Sequence, residues 1–171
     1  MLRQNKVNPF GELISTYSKG SWMGNRGVLH DSKGQLTDKR WTHQQWIICQ
    51  VGFKNRKRKL MSPGCYTELF FIDEASALTA GHRPCWECRR DKFMQFKEAW
   101  LKGNDQYGLD TKVKIAEIDK ILHRERVAKS KVARTYQANI AELPDGVMVT
   151  MENNPDIAWL KWKRGLHLWG P

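Results

Sequence analysis

Short apolar pieces separated by turn formers fill the first 40 residues, where Asn8-Pro9, Gly11, Gly20, Gly24-Asn25, Gly27 and Lys33-Gly34 interrupt segments such as Leu13-Ile14 and Val28-Leu29. This pattern predicts short strands and loops. The run Trp41–Phe53 alternates with period two, Trp46, Ile48 and Gln50 on one face and Ile47, Cys49 and Val51 on the other, which predicts a central strand. Tyr66–Ile72 predicts the return strand. Between them Lys54–Lys59 carries five basic residues in six and precedes the turn signal Ser62-Pro63-Gly64, so it is expected at a hairpin tip.

Asp73-Glu74 then opens a short helix through Ala80, with acidic residues in its first turn and Gly81 at its end. Within Asp91–Lys102, Phe93, Phe96 and Trp100 form the stripe of an amphipathic helix. A longer helix is expected from Asp110 or Thr111 to about Gln137, with Ile115, Ile118 and Leu122 inward and a basic second half containing Arg124, Arg126, Lys129, Lys131 and Arg134. Val147–Met151, Ile157–Trp162 and Leu166–Trp169 alternate again around Asn153-Asn154-Pro155-Asp156 and Arg164-Gly165, the pattern of a three-stranded antiparallel meander. The fold class expected is α+β. One domain spans 1–171, with 1–103 as its hairpin and metal-site part and 104–171 as its helix and meander part.

The 40% hydrophobic and 11% aromatic content is that of a globular chain, which sets disorder aside. Charge changes the picture more: 29 Lys and Arg against 18 Asp and Glu leave +11, an imbalance that favours a polyanionic partner. No apolar run approaches the roughly 20 residues that span a bilayer, and the N-terminus has no signal-peptide core. A cytoplasmic protein with no membrane partner is expected. In a reducing compartment the four cysteines read as metal ligands or core residues, not as disulfides.

Cys85 and Cys88 form a Cys-x-x-Cys pair, a spacing that puts two sulfurs on one side of a tight turn where both can bind Zn²⁺. Upstream of them stand Glu74-Ala75, Ala77, Ala80, Gly81 and Arg83-Pro84. A helix packed through small residues, ended by glycine and stiffened by proline, delivers the thiols at fixed geometry. The block YTELFFIDEASALTAGHRPCWECRR resembles the second half of the zinc-binding module of the bacterial Ada alkylation-repair family. It is also similar to a bacterial family sharing the YTELFFIDEA and GHRPCxECRR elements. The likeness covers about 20 residues and implies zinc at Cys85 and Cys88. In the Ada family the other two zinc thiols lie close together as C-x-x-x-C, and one accepts a methyl group from a DNA phosphotriester. Here Cys49 and Cys65 are sixteen positions apart, so methyl transfer does not carry over.

Cys49 on its strand and Cys65 after Pro63-Gly64 complete the simplest ligand set, Cys49, Cys65, Cys85 and Cys88, with His30, His43 or His82 as alternates. Four protein ligands make the zinc structural. The catalytic candidates are His30 as general base, Asp31 beside it and Arg26 as a charge clamp in the Gly24–Asp31 loop; a turn with a hydrogen-bonded histidine is the plainer reading. His123 and His167 read as structural or surface residues. For nucleic acid, with DNA favoured over RNA, the contact set is Lys54, Arg56, Lys57, Arg58 and Lys59 at the hairpin tip with Arg83, Trp86, Arg89 and Arg90 at the knuckle. The function expected is therefore a zinc-stabilised nucleic-acid-binding protein of bacterial or phage origin. A metal-dependent nuclease or repair-type enzyme using the Gly24–Asp31 loop is the first alternative, and a zinc-stabilised interaction protein the second.

Overall fold

The computed structural model describes residues 2–55, 59–127 and 135–171. Its architecture is α+β. Among the described residues, three helices accompany a six-stranded mixed sheet and a separate three-stranded sheet.

The larger sheet is assembled from β1 (Lys6–Val7), β2 (Leu13–Ile14), β3 (Trp22–Asn25), β4 (Ile47–Gln50), β5 (Leu69–Phe71) and β6 (Arg83–Pro84), in the order β2-β1-β5-β3-β4-β6. β1 runs parallel to β5 and β6 parallel to β4; the other pairs are antiparallel. The segments on either side of the basic tract therefore do not form a hairpin with each other, because β3 lies between β4 and β5. Gly24 makes that insertion possible. It pairs with both Ile48 and Leu69, and a Cβ there would stand 2.6 Å from the Ile47 carbonyl oxygen and 2.9 Å from the Phe71 ring. A central strand threaded between two others needs a residue without a side chain at its tightest point.

Ile48, Leu69 and Phe71 share the face of the sheet on which Gly24 sits and are fully buried with Val7, Leu29, Ala77 and Ala80. α1 (Glu74–Thr79) contributes Ala77 to this core and starts where Asp73 caps it, its side chain accepting from the Ser76 N–H and hydroxyl. Gly81 follows in the left-handed region at φ 83°. Alternation along β4 sends Cys49 to the face opposite Ile48.

α2 (Arg90–Gly103) buries Phe93 and Trp100, as the stripe predicts. α3 covers Ile115–Arg126, shorter than the helix expected to Gln137. Asp110 Oδ1 accepts from the Lys112 N–H in a separate turn instead of capping the helix. Trp100, Ile118 and Ile121 make a second core between α2 and α3. The basic residues Lys129, Lys131 and Arg134 lie outside the described residues. β7 (Met148–Met151), β8 (Asn154–Trp162) and β9 (Gly165–Leu168) form the expected antiparallel meander. Among the described residues no helix is long and apolar enough to cross a membrane.

Candidate metal centre

The parallel pairing of β4 with β6 brings the knuckle to Cys49. Ile47 and Ile48 lie opposite Arg83 and Pro84, and the next amide, that of Cys85, donates to the Ile48 carbonyl at 2.9 Å. From there the chain turns tightly, the Arg89 N–H donating to the Cys85 carbonyl at 3.1 Å before α2 begins. Cys49, Cys85 and Cys88 consequently place their sulfurs within 4.8 Å of one another, a group that can hold a metal ion.

The surrounding polar hydrogens favour one anionic sulfur, that of Cys85. The Gln50 N–H points at Cys88 Sγ at 3.4 Å, and the backbone N–H groups of Cys88 and Glu87 point at Cys85. A proton donated by Cys49, helped by those amides, lowers the Cys85 thiol to about 5. The same shared proton, with burial, raises Cys49, and burial raises Cys88. One thiol that gives up its proton readily beside two that hold theirs is a set a soft cation can bind, each metal–thiolate bond replacing an S–H.

Cys65 lies elsewhere. It is exposed at the end of the Ser62–Cys65 turn and takes no part in the three-thiol group. The sixteen-residue gap leads from β4 through the basic tract to a loop that enters β5 at Leu69, away from the knuckle strand. The histidine alternates do not join the group either, although His43 Nδ1 is buried without a partner. His30 is held by the Thr67 hydroxyl at 2.7 Å on Nδ1 and the Ser62 carbonyl at 3.2 Å on Nε2, so it braces the loop after the basic tract. His43 Nε2 donates to Asn25 Oδ1 at 2.7 Å. His82 is buried against Phe71 and Trp46, its Nδ1 donating to the Ala80 carbonyl and its Nε2 accepting from Arg26 Nε.

The Gly24–Asp31 loop does not gather His30, Asp31 and Arg26 around one point. Asp31 is exposed and accepts from the Lys33 and Gln35 amides, which hold its carboxyl below the usual range. Arg26 turns the other way, into the protein, donating to the Gly11 carbonyl at 2.8 Å and lying 4.3 Å over the Trp46 ring.

The basic residues expected to meet nucleic acid divide into two groups. Arg83 is buried and bound at two points to Asp119, while Arg89 is buried against Glu74 and lies 4.1 Å over Trp22. These two guanidiniums hold the fold together. Trp86 and Arg90 are exposed, the guanidinium 4.4 Å over the indole, whose edge rests on Phe93. Lys54 is exposed and paired with Glu87 at 3.2 Å, and Lys59 is exposed. Arg56, Lys57 and Arg58 lie outside the described residues.

Sequence reasoning missed Asp119, the buried partner of Arg83, and the stacking of both Arg26 and Arg126 on Trp46. An aspartate one position after Ile118 in the apolar stripe was the only sign of the first; nothing local marks the second. Comparison of the chain with protein-family models, with curated proteins and with solved structures found no match.

Proposed function

We propose that Cys49, Cys85 and Cys88 bind zinc, and that this zinc-stabilised knuckle presents a surface for the phosphate backbone of nucleic acid, DNA ahead of RNA, in the cytoplasm. The observation that carries the metal reading is the convergence of three sulfurs within 4.8 Å, one from β4 and two from the turn before α2. Zinc–sulfur bonds of about 2.3 Å at tetrahedral angles separate the sulfurs by roughly 3.8 Å, a short adjustment from that arrangement. A thiolate-only donor set also favours zinc over the oxygen-seeking cations. Its role is structural: the ion ties β4 to the turn before α2. Among the described residues no fourth Cys, His, Asp or Glu joins the group, so the last corner is open to water or a partner, an arrangement that also suits a catalytic zinc; neither His30 nor Asp31 joins the group, which favours the structural role. The resemblance of the Cys85–Cys88 block to the Ada zinc module supports the same reading.

For the nucleic-acid surface the support is the net charge of +11 together with Trp86 and Arg90, an exposed ring and guanidinium stacked beside the knuckle. Such a pair offers a stacking face and a phosphate contact at once. Cobalt(II) substitution tests the first part through thiolate-to-metal absorption that Cys49→Ser weakens. Fluorescence anisotropy with labelled duplex and single strands tests the second. Affinity that falls steeply with salt is expected; affinity indifferent to salt contradicts the reading.

A further inference from the structure

Behind the core sheet, on the side away from the thiols, Trp46 is stacked by two guanidiniums. Arg26 lies 4.3 Å from its ring centroid and Arg126 4.1 Å. These two, with the exposed Arg40, line a cleft of about 50 Å³ whose remaining wall includes Gly11, Trp41 and Thr79. Among the described residues no carboxylate lines it.

Like charges crowded on one ring are costly unless something of opposite sign completes them. Among the described residues no ion pair reaches Arg26 or Arg126. Asp119, the acid whose field reaches Arg126, is already held at two points by Arg83. Arg26 is only 4% exposed, yet its Nη2 is buried without a partner, and so is Nε of Arg126. Arg126 is otherwise fixed to the Gly81 and Gln44 carbonyls, and Arg26 to Gly11 and His82. Both side chains are thus anchored through part of the guanidinium while a remaining N–H, closed to solvent in this conformation, lacks an acceptor. Burial, then the charges of Arg126 and Arg40, push Arg26 down to about 9.

We propose that this cleft binds a phosphoryl group. The two guanidiniums on Trp46 match an anion, and N–H donors on different side chains suit the divergent oxygens of a tetrahedral centre. The volume holds about four waters, room for one phosphoryl group and not for a whole nucleotide. Its source is either free phosphate or the terminal phosphate of a nucleic-acid strand. The second source rests on the nucleic-acid reading above; the site itself does not, nor does it depend on the metal.

The test is thermal unfolding and tryptophan fluorescence of the full chain in potassium phosphate against potassium chloride of equal ionic strength. A saturable rise in Tm and a saturable fluorescence change are expected with phosphate alone. Arg40→Ala, at an exposed position, should stay folded and weaken phosphate binding about tenfold. Thr79→Glu places a carboxylate in the cleft and should abolish the phosphate response while raising Tm in its absence. Oligonucleotides with 5′-phosphate and 5′-hydroxyl ends separate the sources: tighter binding of the phosphorylated end assigns a strand terminus, and equal binding beside a saturable phosphate response assigns the free ion. Phosphate indistinguishable from chloride on the unaltered chain would overturn the proposal, as would full phosphate binding by both variants.

Discussion

Arg83 and Asp119 meet in a two-point ion pair, Nε and Nη2 of the guanidinium each donating to one carboxylate oxygen at 2.7 Å. Both are almost wholly buried, and the pair ties the strand that leads into the thiol knuckle to the middle of α3. Removing one partner leaves the other charge desolvated and alone. Asp119→Ala should therefore destabilise the chain by about 3–5 kcal/mol in urea unfolding. Glu117→Ala, two positions from Asp119, breaks the exposed i,i+3 pair with Lys120 and should cost less than about 1 kcal/mol. Comparable losses for the two would contradict this assignment.

Acid should weaken the fold below about pH 6.5, the ordinary value for histidine. Burial, then the charges of Arg26 and Arg126, hold His82 well below that value. Its neutral form is satisfied on both nitrogens, whereas a proton on Nε2 would face the Arg26 N–H. The folded value is depressed, so the stability is present above 6.5 and is lost as pH falls towards the folded value. The slope for this one group is about 1 kcal/mol per pH unit. Urea unfolding from pH 7.5 to 5 should show the decline, and His82→Gln should make it shallower, the remainder belonging to His43 and His123, which burial also lowers. An unchanged slope in that variant would remove His82 as the cause.

Gly24→Ala should cost about 1–3 kcal/mol, since the new methyl meets the Ile47 carbonyl oxygen at 2.6 Å, with β3 held on both sides. Gly103→Ala, where a Cβ meets nothing within 4 Å, is the control and should not destabilise. Thermal unfolding of the two variants makes the comparison.

At the knuckle, the exposed Trp86 and the buried Arg89 should behave differently. Trp86→Ala should weaken nucleic-acid binding by about 1–3 kcal/mol and lower Tm only by the loss of its Phe93 contact. Arg89→Ala should instead lower Tm, because its guanidinium is buried against Glu74 and Trp22. Anisotropy and unfolding on the same preparations separate the two effects. A Trp86→Ala protein that binds as tightly as the parent would remove the ring from the surface.

Features written in local spacing were legible in the chain itself. The α+β class, the capped helix after Asp73, the Phe93 and Trp100 stripe and the meander all follow from periodicity and turn residues. The Cys85–Cys88 spacing and the strand bearing Cys49 were legible too, and the structure brings those three together. What failed was non-local. Two apolar strands flanking a basic turn read as a hairpin, but the insertion of β3 depends on Gly24 fitting between partners distant in sequence. Cys65 was placed beside the knuckle on the strength of that hairpin, and lost its place with it. Arg83 and Arg89 looked like surface charge because their partners, Asp119 and Trp22, lie 36 positions on and 67 positions back.

The central claim is a metal site of three thiols, Cys49, Cys85 and Cys88, without Cys65. Elemental analysis of the purified chain and its four single Cys→Ser variants tests it most directly. One zinc per chain is expected in the parent and in Cys65→Ser, with loss in Cys49→Ser, Cys85→Ser and Cys88→Ser. A parent free of metal, or a Cys65→Ser variant as depleted as Cys49→Ser, would contradict it.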